Sequence, residues 1–177
     1  MKRLVLAVTV GVLAAPLAGA QQEKNVPTEI RHTTAGDVDI NYLNFKWDAQ
    51  AFEAMEKGGG APAARRSWAL ARILTPKPLE FEGKPVTGGA LLILNPASGS
   101  TPMTLEIRVV DMRDVFKDSN VIAVPPPGQT VYEAPANFEK VDSVADRLAL
   151  DLKEKEGTFT LSIHYGDYLA TLQAVRK

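Results

Sequence analysis

Pro78-Leu79-Glu80-Phe81-Glu82-Gly83-Lys84-Pro85-Val86-Thr87-Gly88-Gly89-Ala90-Leu91-Leu92-Ile93-Leu94-Asn95-Pro96 carries two strand signatures side by side. Leu79 and Phe81 alternate with Glu80 and Glu82, the pattern of a strand with one dry face and one wet face. Gly83 to Pro85 marks a turn. Ala90 to Leu94 is apolar at every position, between Gly88-Gly89 and Asn95-Pro96. A short unbroken apolar run between turn signals suits a strand covered on both faces. The stretch predicts the spine of an all-β core.

Toward the C-terminus, the Pro/Ser/Gly-rich loop Asn95 to Pro102 predicts a hairpin into the next strand. There Met103, Leu105, Ile107 and Val109 alternate with Thr104, Glu106 and Arg108. Asp111 to Asn120 is charged around Val115 and Phe116 and reads as a helical turn, and Val121 to Val124 as a short strand. Pro125-Pro126-Pro127-Gly128 is a polyproline-like elbow. Thr130 to Ala134 reads as an edge strand, since Pro135 has no N–H for an interior ladder. Ala145 to Leu152 puts Leu148, Leu150 and Leu152 on one face, and a charged turn from Lys153 to Gly157 follows. Phe159, Leu161, Ile163 and Tyr165 alternate with polar residues including His164. Gly166-Asp167 reads as another turn, and Tyr168 to Val175 as the last strand.

Toward the N-terminus, Ser67 to Leu74 fits strand or helix, and the strand reading is preferred because Thr75-Pro76 follows so closely. Lys46 to Gly58 is the clearest helix. Asp48 is its N-cap, Trp47 and Phe52 form a hydrophobic staple, Ala51, Phe52 and Met55 share a face, and Gly58 ends it. Gly58-Gly59-Gly60 with Ala61-Pro62 makes a flexible break. Val38, Ile40 and Tyr42 alternate as a strand, preceded by an extended polar lead-in from Gln21 to Gly36. Strands with short links, one good helix and no β-α-β spacing predict an antiparallel β-sandwich with one short helix inserted near the N-terminus, a barrel being the alternative.

The first residues have another expected role. Lys2 and Arg3 precede an apolar run from Leu4 to Leu13, and Ala18-Gly19-Ala20 supplies small residues for cleavage before Gln21. Residues 1–20 therefore read as a secretory signal peptide and residues 21–177 as one β-sandwich domain, periplasmic or secreted. The apolar run is shorter than the ~20 residues of a membrane span, and no later run is long enough. There is no cysteine, so an exported domain of this kind must rely on its apolar core. The formal charge is −1 and two of the cations lie in the leader, which argues against general nucleic-acid binding.

The order of motifs resembles a bacterial family of exported domains of unknown function. The resemblance rests on Asp37 to Tyr42, Ser67-Trp68, Leu79 to Gly89 and His164-Tyr165-Gly166-Asp167, and covers nearly all of the chain after the leader. The family pattern has Trp-Arg-x-Gly, Gly-Lys-x-x-x-x-Gly-x-Tyr-x-Leu and a late Trp-Gly pair. Here Ala69 follows Trp68, Ala90 stands near the hairpin aromatic, and Tyr165 replaces the late Trp. The resemblance implies an exported β fold and no activity.

Chemistry-bearing residues are sparse. His32 and His164 are the only histidines, too few and too far apart for a zinc site without cysteine, and no cofactor or metal is expected. No Gly-x-Ser-x-Gly elbow is present, and Ser98-Gly99-Ser100 reads as a hairpin turn. Glu80, Glu82, Glu106 and Asp151 read as solvated strand faces rather than a glycosidase pair. Asp111, Asp114 and Asp118 lack calcium-loop spacing, and Arg65-Arg66 is a small basic spot. A contact platform for a small ligand, glycan or protein is one reading of Trp68 with Arg72 and of His164, Tyr165 and Asp167, with Tyr168 alongside, while core packing is the favoured reading of Trp68. Two functions follow: a non-catalytic binding domain, or a hydrolase using His164 with a carboxylate such as Asp167.

Overall fold

A computed structural model describes residues 29–59, 66–111 and 125–176. The signal segment, most of the lead-in, the end of the glycine break, Arg65, Asp114, Asp118, the helical turn at Val115-Phe116 and the short strand Val121 to Val124 lie outside the described residues.

The described chain is antiparallel β-sheet with one short helix, as its periodicity predicts. Eight strands share one hydrogen-bonded sheet. They are β1 (Ile30–Ala35), β2 (Val38–Leu43), β3 (Trp68–Phe81), β4 (Lys84–Asn95), β5 (Thr104–Val109), β6 (Gln129–Pro135), β7 (Glu139–Lys155) and β8 (Thr158–Val175). The helix α1 (Ala49–Glu56) follows β2. Strands β1 to β6 pair in chain order, so β6 is an edge strand. β7 pairs with β8, and β8 joins β3 through Glu80 and Val175.

The spine stretch behaves as read. Glu82 and Gly83 both have positive φ, the geometry of a two-residue hairpin turn between β3 and β4. Ala90, Leu92 and Leu94 enter the main core, while Leu91 and Ile93 form a second small cluster with Val110 on the other face. The main core joins these residues to Val38 and Ile40 of β2, Leu105 and Ile107 of β5, Leu148 and Leu150 of β7 and Phe159 to Tyr165 of β8. Each fully buried Leu, Ile or Phe contributes about 1.5–3 kcal/mol. An apolar interior of this kind does the work that no crosslink does.

The helix is built as its sequence dictates. Asp48 accepts a hydrogen bond from the Ala51 N–H at 3.0 Å. The Trp47 and Phe52 rings lie 5.4 Å apart, which is the staple. At the other end the Gly59 N–H reaches Ala54 O and the Gly58 N–H reaches Met55 O, satisfying two of the last carbonyls.

Three local expectations are corrected. The end of the polar lead-in is a strand, β1, held by full register with β2; its polarity reflects an edge position rather than a loop. β3 runs unbroken from Trp68 to Phe81, with irregular pairing at Thr75 to Leu79, where two prolines interrupt the ladder. Gly166-Asp167 does not end a strand. β8 continues through it, with Gly166 in the left-handed region at φ 64°.

That glycine marks a bend. Phe159, Leu161, Ile163 and Tyr165 are buried at odd positions, then Ala170, Leu172 and Ala174 at even ones. One residue has therefore been inserted into the alternation, the signature of a β-bulge. An 18-residue strand drawn straight would span roughly 60 Å. Instead the Arg176 N–H donates to Gly157 O at 2.8 Å, so the chain curls back to where β8 begins. β7 bends with it and temporarily leaves its partner: the Trp47 N–H bonds Asp146 O and the Leu148 N–H bonds Phe45 O.

Candidate functional site

The bend gathers the aromatic residues. Tyr165 is 3% exposed and packs against Phe45, Trp47 and Trp68 with ring centroids 5.1, 4.5 and 6.3 Å away, all in edge-on geometry. Phe52 bridges from the helix to Tyr165 and Tyr168. No Cβ could stand at Gly166, because it would overlap the Trp47 indole.

The hydroxyl of Tyr165 supplies what the segment between β2 and α1 lacks. Phe45 to Asp48 has irregular backbone, and its polar groups still need partners. Tyr165 Oη donates to Lys46 O at 2.9 Å and accepts from the Asp48 N–H at 3.1 Å. Arg147 Nη1 donates to Asn44 O at 2.9 Å, and the bonds to Asp146 and Leu148 complete the set. Burial pushes the Tyr165 hydroxyl up to about 12, against a smaller lowering by the Asp48 N–H, with the Asp48 charge adding a lesser upward push. It is a neutral structural clamp at any physiological pH.

Of the five residues singled out in the sequence, Trp68 and Tyr165 meet, with Tyr165 buried in the core and Trp68 partly buried against it. Arg72 is separated from Trp68. A bulge between Ala69 and Ala71 shifts the register, so Trp68 pairs with Leu94 of the main core while Arg72 pairs with Leu91 of the opposite cluster. Four residues apart on a regular strand would have been one face; the inserted residue makes it two.

His164 and Asp167 remain at the surface of the bend and engage different partners. His164 Nε2 lies 3.2 Å from Ser143 O; a carbonyl only accepts, so that nitrogen carries the proton. Asp167 takes Lys140 Nζ at 3.4 Å, and the same ammonium sits 5.2 Å from the centre of the Tyr168 ring. The carboxylate, with smaller help from Tyr168, holds the Lys140 pKa above its ordinary value. Tyr168 is half-buried, its other side packed 4.7 Å from Phe52. A half-buried aromatic, an ammonium and a carboxylate thus meet on the β7–β8 hairpin, and His164 lies on the same hairpin with Ser143 O as its partner.

Sequence reasoning missed Glu106. It is 2% exposed, not solvated. Arg108 grips it with Nε to Oε1 at 2.7 Å and Nη2 to Oε2 at 2.9 Å. Asn95 Nδ2 donates to Oε2 at 3.0 Å and Thr130 Oγ1 to Oε1 at 2.5 Å. Burial alone would raise the Glu106 pKa, but these donors outweigh it and hold the carboxyl below its ordinary range. Thr104 and Glu133 extend the network across β4, β5 and β6, Ser67 joins it from just before β3, and Arg108 Nη1 reaches Pro126 O, tying down the polyproline elbow. The signal was present in the spine: Ile93 is covered on its face, and Glu106 is its partner in register. A carboxylate beside a covered strand is itself covered.

Among the described residues no three of His, Cys, Asp and Glu are grouped to hold a metal. No described helix is long and apolar enough to cross a membrane. No known protein family, curated protein or solved structure matches the chain.

Proposed function

We propose that the protein is an exported, soluble, non-catalytic domain that binds a glycan, small ligand or protein partner through the β7–β8 face at Tyr168, Lys140, Asp167 and His164. One observation carries the reading: Tyr165, Glu106, Asp167 and His164, four side chains suited to acid–base chemistry, are committed to structural bonds. The Tyr165 hydroxyl clamps backbone, Glu106 is saturated by four donors, Asp167 is paired with Lys140 and His164 bonds a carbonyl. A hydrolase would need His164 between a nucleophile and a carboxylate. What the bend presents instead is a rigid aromatic flanked by both charges, a combination suited to recognition. Export follows from the leader pattern, and the resemblance to exported bacterial domains is consistent with it.

The test has two arms. Full-length protein produced in a bacterium is expected outside the cytoplasm with Gln21 as its first residue, read by mass spectrometry. On glycan and peptide arrays the purified protein is expected to show binding lost on Tyr168→Ala and retained on Val144→Ser, an exposed change nearby. Turnover of ester, glycoside or peptide substrates that disappears in His164→Ala would refute the non-catalytic reading.

A further inference from the structure

The bend lies at one end of a longer polar face. From Ala149 and His164 to Lys155 and Thr158 the β7–β8 hairpin pairs without a register shift. Leu150, Leu152, Phe159, Leu161 and Ile163 are buried, so the alternate positions face outward. On β8 these are Thr158, Thr160, Ser162 and His164, and opposite them on β7 stand Lys155, Lys153 and Asp151. Past the bulge, Ala170, Leu172 and Ala174 are buried and the odd positions turn outward, so Asp167 is the next residue of the row. From Thr158 to His164 the row spans about 20 Å at the rise of a regular strand.

Beside the hairpin turn this face is hollowed. An open groove of about 360 Å³ is lined by Lys153, Lys155, Glu156, Thr158 and Thr160. Its origin lies in the cross-strand pairs. Lys153 stands opposite Thr160 and Lys155 opposite Thr158, a long side chain against a short one in each rank. The lysines are exposed and the threonines half-buried, so the threonines form the floor. The volume falls within the roughly 300–1,000 Å³ of ligand pockets. Unlike the Tyr165 hydroxyl, the hydroxyls here are not committed to the fold: no side-chain hydrogen bond of Thr158, Thr160 or Ser162 occurs among the described residues.

Charge and polarity choose the occupant. Lys153 and Lys155 are balanced by Asp151 and Glu156, with Lys153 Nζ 3.0 Å from Asp151 Oδ2, so the face has no net charge to draw a polyanion or an anionic lipid surface. The exposed large apolar side chains are Ile30, Val144 and Val175, none of them on this row, so it lacks the apolar centre of a protein interface. What it offers is donors and acceptors side by side, the match for hydroxyl groups, which do both. We propose that the β7–β8 site takes a neutral oligosaccharide. One end is held at Tyr168, Lys140 and Asp167, and the chain runs along β8 so that a further sugar unit lies in the groove on Thr158 and Thr160. This rests on the binding role proposed above and adds the class of ligand, its direction and a second point of contact.

The test is titration calorimetry of the purified protein with the dimers and hexamers of the malto, cello and N-acetylated chito series, and with a heparin hexamer as the polyanion. At least one neutral hexamer is expected to bind about tenfold or more tightly than its dimer, because only the longer chain reaches the groove. Thr160→Val keeps the β-branched shape and removes a hydroxyl; it should weaken that hexamer about three- to tenfold, the worth of one hydrogen bond. Thr171→Val, the same change at an exposed position of β8 beyond the bend, should leave it unchanged. Equal affinity for dimer and hexamer, full affinity in Thr160→Val, preference for heparin, or no neutral hexamer bound would each overturn the proposal. Binding that Tyr168→Ala abolishes, but that depends on neither chain length nor Thr160, would leave the bend site standing and remove only its extension. A protein that binds nothing on the glycan and peptide arrays loses both.

Discussion

Replacing Tyr165 by Phe removes one oxygen and leaves the ring. The edge-on contacts with Phe45, Trp47 and Trp68 persist, so the loss isolates the clamp on the segment between β2 and α1. Two hydrogen bonds go, at 2.9 and 3.1 Å, each worth about 1 ± 0.5 kcal/mol net. Lys46 O and the Asp48 N–H are only partly buried, and water will recover some of this; the expected cost is about 1–2 kcal/mol. For a chain of this size that lowers Tm by roughly 2–8 °C. Urea unfolding followed by Trp47 and Trp68 fluorescence measures it. The pH dependence is the sharper readout. The hydroxyl titrates near 10 when unfolded and at about 12 when folded. Below pH 10 both states hold the proton and nothing changes. Between 10 and 12 the unfolded state releases it first, so stability falls by on the order of 2–3 kcal/mol as pH rises through that window. Tyr165→Phe should lack this step. A Phe variant as stable as wild type, with an unchanged alkaline slope, would refute the clamp.

Gly166→Ala places a methyl group on the Trp47 indole at a left-handed residue; strain of about 1–2 kcal/mol and overpacking of a further 1–3 kcal/mol should show as early urea unfolding and altered near-UV circular dichroism. Glu106→Gln leaves Arg108 without its carboxylate and should cost roughly 2–4 kcal/mol at neutral pH, less than a fully buried pair because Arg108 retains some contact with water. Because the folded Glu106 pKa is depressed, its contribution is present above the ordinary carboxylate pKa and lost as pH falls through the folded value; acid titration of stability should show a shallower fall in the Gln variant. Asp48→Ala removes the cap of α1 and should cost about 0.5–2 kcal/mol by urea denaturation, with the helix signal lost first.

The parts of the fold that could be read in the chain were those governed by alternation and capping. Ala90 to Leu94, the helix with its cap and staple, and the leucines of β7 all stand where their pattern puts them. What escaped were single insertions. The bulge at Ala69–Ala71 sends Arg72 to the face opposite Trp68, and nothing local marks it, because Ala69, Leu70 and Ala71 are all apolar and all buried. The bulge at Gly166 was legible in principle, since the apolar residues change parity between Tyr165 and Ala170. Glu106 was misread by treating its strand alone; its burial is set by Ile93, its register partner in the covered run of β4. Contact between strands, not periodicity within one, decides whether a polar residue meets water.

The return of Arg176 to Gly157 and of Val175 to Glu80 has a kinetic consequence. The meander from β1 to β6 can assemble by successive neighbours, but β8 joins β3 only when residues distant along the polypeptide find each other. Pairings of that separation are slow to nucleate and leave strand borders uncovered in the meantime. Refolding should therefore proceed with the hairpin of β7 and β8 formed early and its docking onto β3 as the late, rate-limiting event.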